Sequence, residues 1–137
     1  MIISIYTDGG SSGNPGPAAS AFVILRGNQE LKRHAEAIGA TTNNVAEYTA
    51  FILALQSLKG LVQQPEYQGI TKIELFSDSL LMVRQLQGVY KIKEVHIRDL
   101  IVKIRDLESA IDRPFTYTHI PREKNKVADG LVREILY

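Results

Sequence analysis

Ile3, Ile5 and Thr7 alternate with Ser4, Tyr6 and Asp8 at the start of the chain, and both sets are rich in β-forming residues. That pattern predicts a central strand covered on both faces. Asp8 closes the run, and Gly9, Gly10, Gly13, Pro15, Gly16 and Pro17 predict a tight reversal after it. Ala18 to Leu25 reads as a second strand, and Gly27-Asn28 is a hairpin signal. Leu31 to Ile38 reads as a third. Leu31, Ala35 and Ala37 share one face and Lys32, His34 and Glu36 the other, as at a sheet edge or a face partly open to water. Short loops join these three strands into an antiparallel meander.

The period then changes. Tyr48, Phe51, Ile52, Leu55, Leu58 and Val62 recur at three and four residues and predict an amphipathic helix. Thr42, Asn43 or Asn44 can cap it, and Glu47 falls in its first turn. A polar connection from Gln63 to Gly69 leads to a fourth strand, Ile70 to Ser77, ended by Asp78. Ser79 to Gln87 is a short helix stopped by Gly88. Ile97, Leu100, Ile101, Ile104, Leu107 and Ile111 mark a longer one. Phe115 to Ile120 is a fifth strand. Asn125 can cap a last helix with Val127, Ala128, Leu131, Val132 and Ile135 on its apolar face, and Asp129 lies one turn in. The order β-β-β-α-β-α-α-β-α predicts an α/β fold whose meander continues as parallel strands through helical crossovers. With no repeat, linker or low-complexity segment, residues 1–137 are expected to form one domain.

Composition removes several classes of function. There is no cysteine, which excludes disulfides and thiolate metal sites and fits a reducing, cytoplasmic setting. No secretory leader is visible, and no apolar run approaches the ~20 residues of a membrane span. The net charge is +1, so any grip on nucleic acid must come from local arrangement rather than from bulk charge.

Four acids carry the candidate chemistry. Asp8 and Asp78 end strands, and Glu47 and Asp129 lie early in helices. Each has an ordinary reading alone, as a turn former, a cap, a dipole partner or a solvated helix acid. A phosphate loop is excluded because the G-x-x-x-x-G-K-[ST] pattern is absent. In an open α/β sheet, however, all four positions fall at the carboxyl ends of parallel strands, where ligands bind. Four carboxylates in one place repel unless cations neutralise them. An all-oxygen set without His or Cys selects Mg²⁺ or Mn²⁺. Two such ions about 4 Å apart serve in-line attack of water on a phosphodiester.

The segments YTDGGSSGNPGPAASAFVI, TTNNVAEYTAFILAL, LFSDS and HIPREKNKVADGL resemble the four blocks of ribonuclease H, type 1, in order and spacing across essentially the whole chain. The resemblance implies a ribonuclease H-like fold with a five-stranded mixed sheet flanked by helices. It implies hydrolysis of the RNA strand of RNA–DNA hybrids, leaving 5′-phosphate and 3′-hydroxyl ends. It implies two Mg²⁺ ions, with Mn²⁺ able to substitute. On the same resemblance, Asp8 would bridge both metals and Asp129 would complete the ion that activates water. Glu47 and Asp78 would hold the ion at the leaving oxygen. His119 would assist proton transfer or product release. Asn14, Asn43 and Asn44 would contact ribose 2′-hydroxyls, and Thr42 would help grip a DNA phosphate.

The sequence also departs from the family pattern. Only Val89 to Glu94 stands where many members carry a basic, tryptophan-bearing handle. Tyr90, Lys91 and Lys93 are left as substrate grip, with Arg122, Lys124 and Lys126 the next cationic candidates. Ala40 replaces the usual arginine of the phosphate pocket, and Leu80 replaces a polar residue. These features suggest a compact, monomeric prokaryotic form without a hybrid-binding domain. The competing readings are a non-catalytic hybrid-binding module, another nuclease of the same superfold such as a transposase or junction resolvase, and a free domain of reverse-transcriptase type. The acid quartet disfavours a pure binder, and the ribose-directed asparagines favour an RNA-directed enzyme.

Overall fold

The computed structural model describes all 137 residues. Strands β1 (Ile2–Ser11), β2 (Gly16–Arg26) and β3 (Gln29–Thr41) form the antiparallel meander. Strands β4 (Lys72–Ser77) and β5 (Phe115–His119) continue it in parallel, giving the order β3-β2-β1-β4-β5. β1 is therefore central and β3 an edge, as their residue patterns predict.

Ile3 and Ile5 of β1, Phe22 and Ile24 of β2, and Ile73 and Leu75 of β4 point to one face of the sheet. Helix α1 (Asn43–Leu61) covers that face with Phe51, Leu55 and Leu58. Helix α3 (Val95–Ile111) adds Ile97, Ile101, Ile104 and Ile111 to the same core. Burying each such side chain contributes about 1.5–3 kcal/mol, so this one cluster carries most of the stability. On the opposite face, Val132 of helix α4 (Lys126–Leu136) packs on Ala19 and Ala21. Small residues there let α4 lie close to the strands. Further along that face, Tyr6 and Phe76 stack at 4.9 Å and stay half-buried, so the open-faced half of β1 is less covered than its pattern predicts.

Several boundaries differ from the sequence reading. β1 does not end at Asp8; it runs on through Gly9 and Gly10 to Ser11, paired with β2. The reversal is confined to residues 12–15, where the Asn14–Pro15 bond is cis. Helix α1 is not amphipathic, since it is pressed between the sheet and α3 and buries residues around most of its circumference. Its cap is Thr42, whose Oγ1 accepts from the Val45 N–H at 3.3 Å. Glu47 is consequently a full turn inside the helix rather than in its first turn. Helix α2 (Leu80–Leu86) is capped by Ser79, whose Oγ accepts from Met82 N–H at 3.2 Å. Asp78 is thereby released from capping. Asn125 precedes α4 but its side chain makes no capping bond.

Candidate active site

β1 has different neighbours on its two edges, and this places Asp8. Along the parallel edge the ladder with β4 stops at the Thr7–Ser77 pair. Asp8 and Asp78 are thus the first residues beyond it, side by side at the carboxyl ends of two parallel strands. Along the antiparallel edge β1 continues, and Gly9 lies against α1. A Cβ at Gly9 would sit 2.3 Å from the Ala46 carbonyl carbon and 2.5 Å from the Glu47 nitrogen. Only glycine permits that approach. Ser20 Oγ reinforces it by donating to the Ala46 carbonyl at 2.7 Å. Glu47 is delivered to the strand end in this way.

One carboxylate oxygen from each of Asp8, Glu47 and Asp78 lies within 4.8 Å of the others. Asp8 and Glu47 are only 6% and 8% exposed. Asp129 lies outside this triplet but lines the same cavity of about 310 Å³. Its Oδ2 pairs with Arg133 Nε at 3.3 Å.

Burial dominates the electrostatics. It pushes the Asp8 carboxyl up to about 7, helped by the charges of Asp78 and Asp129 and opposed by the Gly9 N–H and Arg122. Burial also raises Glu47 well above the carboxylate range, with Asp8 and Asp78 adding to it. Asp78 is raised by burial, against the pull of the Asn125 amide, Arg122 and His119. Glu47 Oε2 and Asp78 Oδ2 are buried without a hydrogen-bond partner. Buried acid oxygens left unpaired and carboxyls that resist ionisation are what a cation site presents before a cation enters it. The residues present therefore fit a hard divalent ion with oxygen ligands.

The rim carries the asparagines. Asn43 and Asn44 line the acid cavity as the first residues of α1. Asn43 Oδ1 accepts from both the Ser11 N–H and the Ser11 hydroxyl at 2.9 Å. Asn14 Oδ1 accepts from the Asn43 N–H at 3.0 Å. The carbonyl ends of both amides are occupied within the protein, which leaves their NH₂ groups to face outward as donors.

Residues 6–135 match the family model described as reverse transcriptase-like. The chain is 37% identical over 135 residues to ribonuclease HI of Halobacterium salinarum, spanning 98% of this chain and 64% of that protein. Among solved structures, LC11 RNase H1 in complex with an RNA/DNA hybrid superimposes with TM-score 0.88 at 43% identity, covering 98% of this chain and 96% of that one. The N-terminal RNase H domain of the Mycobacterium tuberculosis protein Rv2228c does so with TM-score 0.88 at 34% identity over the whole of both chains. The chain belongs to the ribonuclease H family. It spans 64% of the length of the halobacterial relative and 36% of the mycobacterial one.

Among the other residues that the ribonuclease H resemblance singled out, the structure separates three groups. Thr42 is occupied as the α1 cap and does not line the acid cavity. His119 is the exposed last residue of β5, paired in register with Ser77 and close enough to affect Asp78. Tyr90, Lys91 and Lys93 line a second groove of about 510 Å³ that shares Asn44 with the acid cavity. Leu81, Val89, Ile92 and Ile97 add apolar lining. Two further residues at or beside the cavity were not singled out from the sequence as site residues. Arg133 enters the cavity four residues after Asp129, a spacing that brings them to one helix face and was a usable signal. Asn125 is 2% exposed, and its Nδ2 donates to the Thr7 carbonyl at 2.8 Å; nothing in the sequence marks that contact. No helix is long and apolar enough to cross a membrane.

Proposed function

We propose that the protein is an endoribonuclease that hydrolyses the RNA strand of RNA–DNA hybrids with two Mg²⁺ ions, leaving 5′-phosphate and 3′-hydroxyl ends. The observation that carries this reading is the convergence of Asp8, Glu47 and Asp78 within 4.8 Å, with buried oxygens lacking any partner, in a chain of the ribonuclease H family. The hybrid complex of the LC11 relative supports the choice of substrate.

Asp8, Glu47 and Asp78 would hold one ion, and Asp8 with Asp129 the other. When bound, such ions supply Lewis acidity at the phosphate and a hydroxide-like nucleophile at neutral pH. The chain's own groups do the rest. Asp8 and Glu47, whose charged forms burial disfavours, would be held ionised by a bound cation. The NH₂ groups of Asn14, Asn43 and Asn44 donate to ribose 2′-oxygens, which separates RNA from DNA. Arg122, which lines the cavity, offsets excess negative charge at the acids. His119, exposed beside Asp78, would carry a proton or help release product. Tyr90, Lys91 and Lys93 would grip the other strand from the adjoining groove, and Thr42 would meet a DNA phosphate.

The test is cleavage of a labelled RNA–DNA hybrid beside RNA–RNA and DNA–DNA duplexes, with and without Mg²⁺. Metal-dependent cutting of the hybrid's RNA strand is the expected result. Binding of the hybrid without cleavage in Mg²⁺ or in Mn²⁺ overturns the reading in favour of a non-catalytic module.

A further inference from the structure

We propose that Asn125 is a positioning residue that fixes Asp129 relative to Asp8 and Asp78. The proposal rests on the acid quartet being the catalytic centre. Asn125 is buried where the end of β1, which leads into Asp8, meets the start of α4, which carries Asp129. Its Nδ2 donates to the Thr7 carbonyl at 2.8 Å, one residue before Asp8, where the β1–β4 ladder has run out of partners. Its backbone carbonyl accepts the Asp129 N–H at 3.0 Å in the first turn of α4. Thr7 and Asn125 are 118 residues apart, so this bond closes the whole chain around the site.

Stability alone does not account for the residue. The side chain occupies the cap position of α4 yet makes no capping bond, and its Oδ1 is buried without a partner. An unpaired buried amide oxygen is unfavourable, and a serine or aspartate would cap the helix better. What the asparagine provides is reach: a donor that joins α4 to the end of β1. Asp129 needs such a tether because it is the acid of the four that stands outside the close triplet.

The experiment compares the wild type with Asn125→Ala, Asn125→Ser and Ile104→Val, the last a buried α3 position that does not line the acid cavity, chosen as a stability control. Two quantities are read: the Mn²⁺ concentration at the midpoint of the metal-dependent rise in melting temperature, and kcat and KM for a hybrid. Asn125→Ala is expected to raise the Mn²⁺ midpoint at least ~10-fold and to lower kcat at least ~10-fold with KM within about twofold. Asn125→Ser, whose hydroxyl is too short to reach the Thr7 carbonyl, should shift in the same direction. Ile104→Val should lower the melting temperature and leave the Mn²⁺ midpoint unchanged. In an Asp129→Asn background, Asn125→Ala should add little further loss of kcat, because the two act through one position. A Mn²⁺ midpoint and kcat in the asparagine variants no different from Ile104→Val overturns the positioning role. If Asn125→Ala does not fold, an unshifted midpoint in Asn125→Ser overturns it equally. A wild type with no Mn²⁺-dependent rise at all instead removes the metal-centre reading on which the proposal rests, and the proposal with it.

Discussion

Gly9 and Ala46 approach so closely that a Cβ on Gly9 would lie 2.3 Å from the Ala46 carbonyl carbon. This contact between a central strand and the first turn of α1 is what brings Glu47 to Asp8. Gly9→Ala must therefore push α1 outward. Overpacking of this kind costs about 1–3 kcal/mol, read as a lower denaturation midpoint. Cleavage should fall more steeply than stability, because Glu47 moves with the helix. A Gly9→Ala protein with wild-type metal affinity would show that the carboxylates tolerate the displacement.

Asp8, proposed to serve both metal ions, gives the sharpest single substitution. Asp8→Asn keeps the side-chain shape and removes a charge that the proposed ions share. The variant should fold, and hybrid cleavage in Mg²⁺ should drop at least ~10³-fold. Near-wild-type turnover would refute the assignment of Asp8.

The raised carboxyls make metal-free stability depend on pH. Asp8 titrates near 7 in the folded protein, against an ordinary value of 3.8. The folded state therefore holds a proton that the unfolded state releases between those values, and stability is lost as pH rises. In EDTA, the melting temperature should increase as pH is lowered from about 8 to about 5, and Mg²⁺ should flatten that slope. Asp78→Asn, by removing one of the repelling charges, should raise the melting temperature in EDTA at pH 8 and reduce the further gain from Mg²⁺. A lower melting temperature in EDTA would mean that Asp78 holds the β4–α2 turn together.

Ribose sensing can be tested on the donors directly. Asn43 Oδ1 is bound to Ser11, so Asn43→Ala would disturb the turn as well as the substrate. Asn43→Asp keeps that acceptor and loses the outward NH₂. Combined with Asn44→Ala, it should lower kcat/KM for the hybrid ~10²-fold or more, since each unmade buried bond costs roughly 1–3 kcal/mol. One deoxynucleotide beside the cut site should slow the wild type far more than the double variant. Equal slowing in both would assign ribose recognition to other groups.

The adjoining groove predicts the strength of binding. With only Lys91 and Lys93 as its cations, affinity should be weak and its salt slope shallow. Replacing both lysines by alanine should abolish detectable hybrid binding at physiological salt. Undiminished binding would move the phosphate contacts to Arg122, Lys124 and Lys126.

The sequence by itself determined the strands and helices, their order, the edge character of β3 and the four acids, because these depend on short-range periodicity and on residue chemistry. It placed Asp8 at a strand end, and the structure shows why that was half right: the parallel ladder stops at Thr7, while the antiparallel one continues to Ser11. Which of Thr42, Asn43 and Asn44 caps α1 was undecided until the fold oriented the chain. Thr42 took the cap, and Asn43 turned to Ser11. The same holds for Asp78, freed because Ser79 caps α2. Asn125 reads as an ordinary cap in sequence, because a bond spanning 118 residues leaves no local trace. The raised carboxyl at Asp8 is likewise a tertiary property. Its causes are burial and the charges of Asp78 and Asp129, residues that only chain folding makes neighbours.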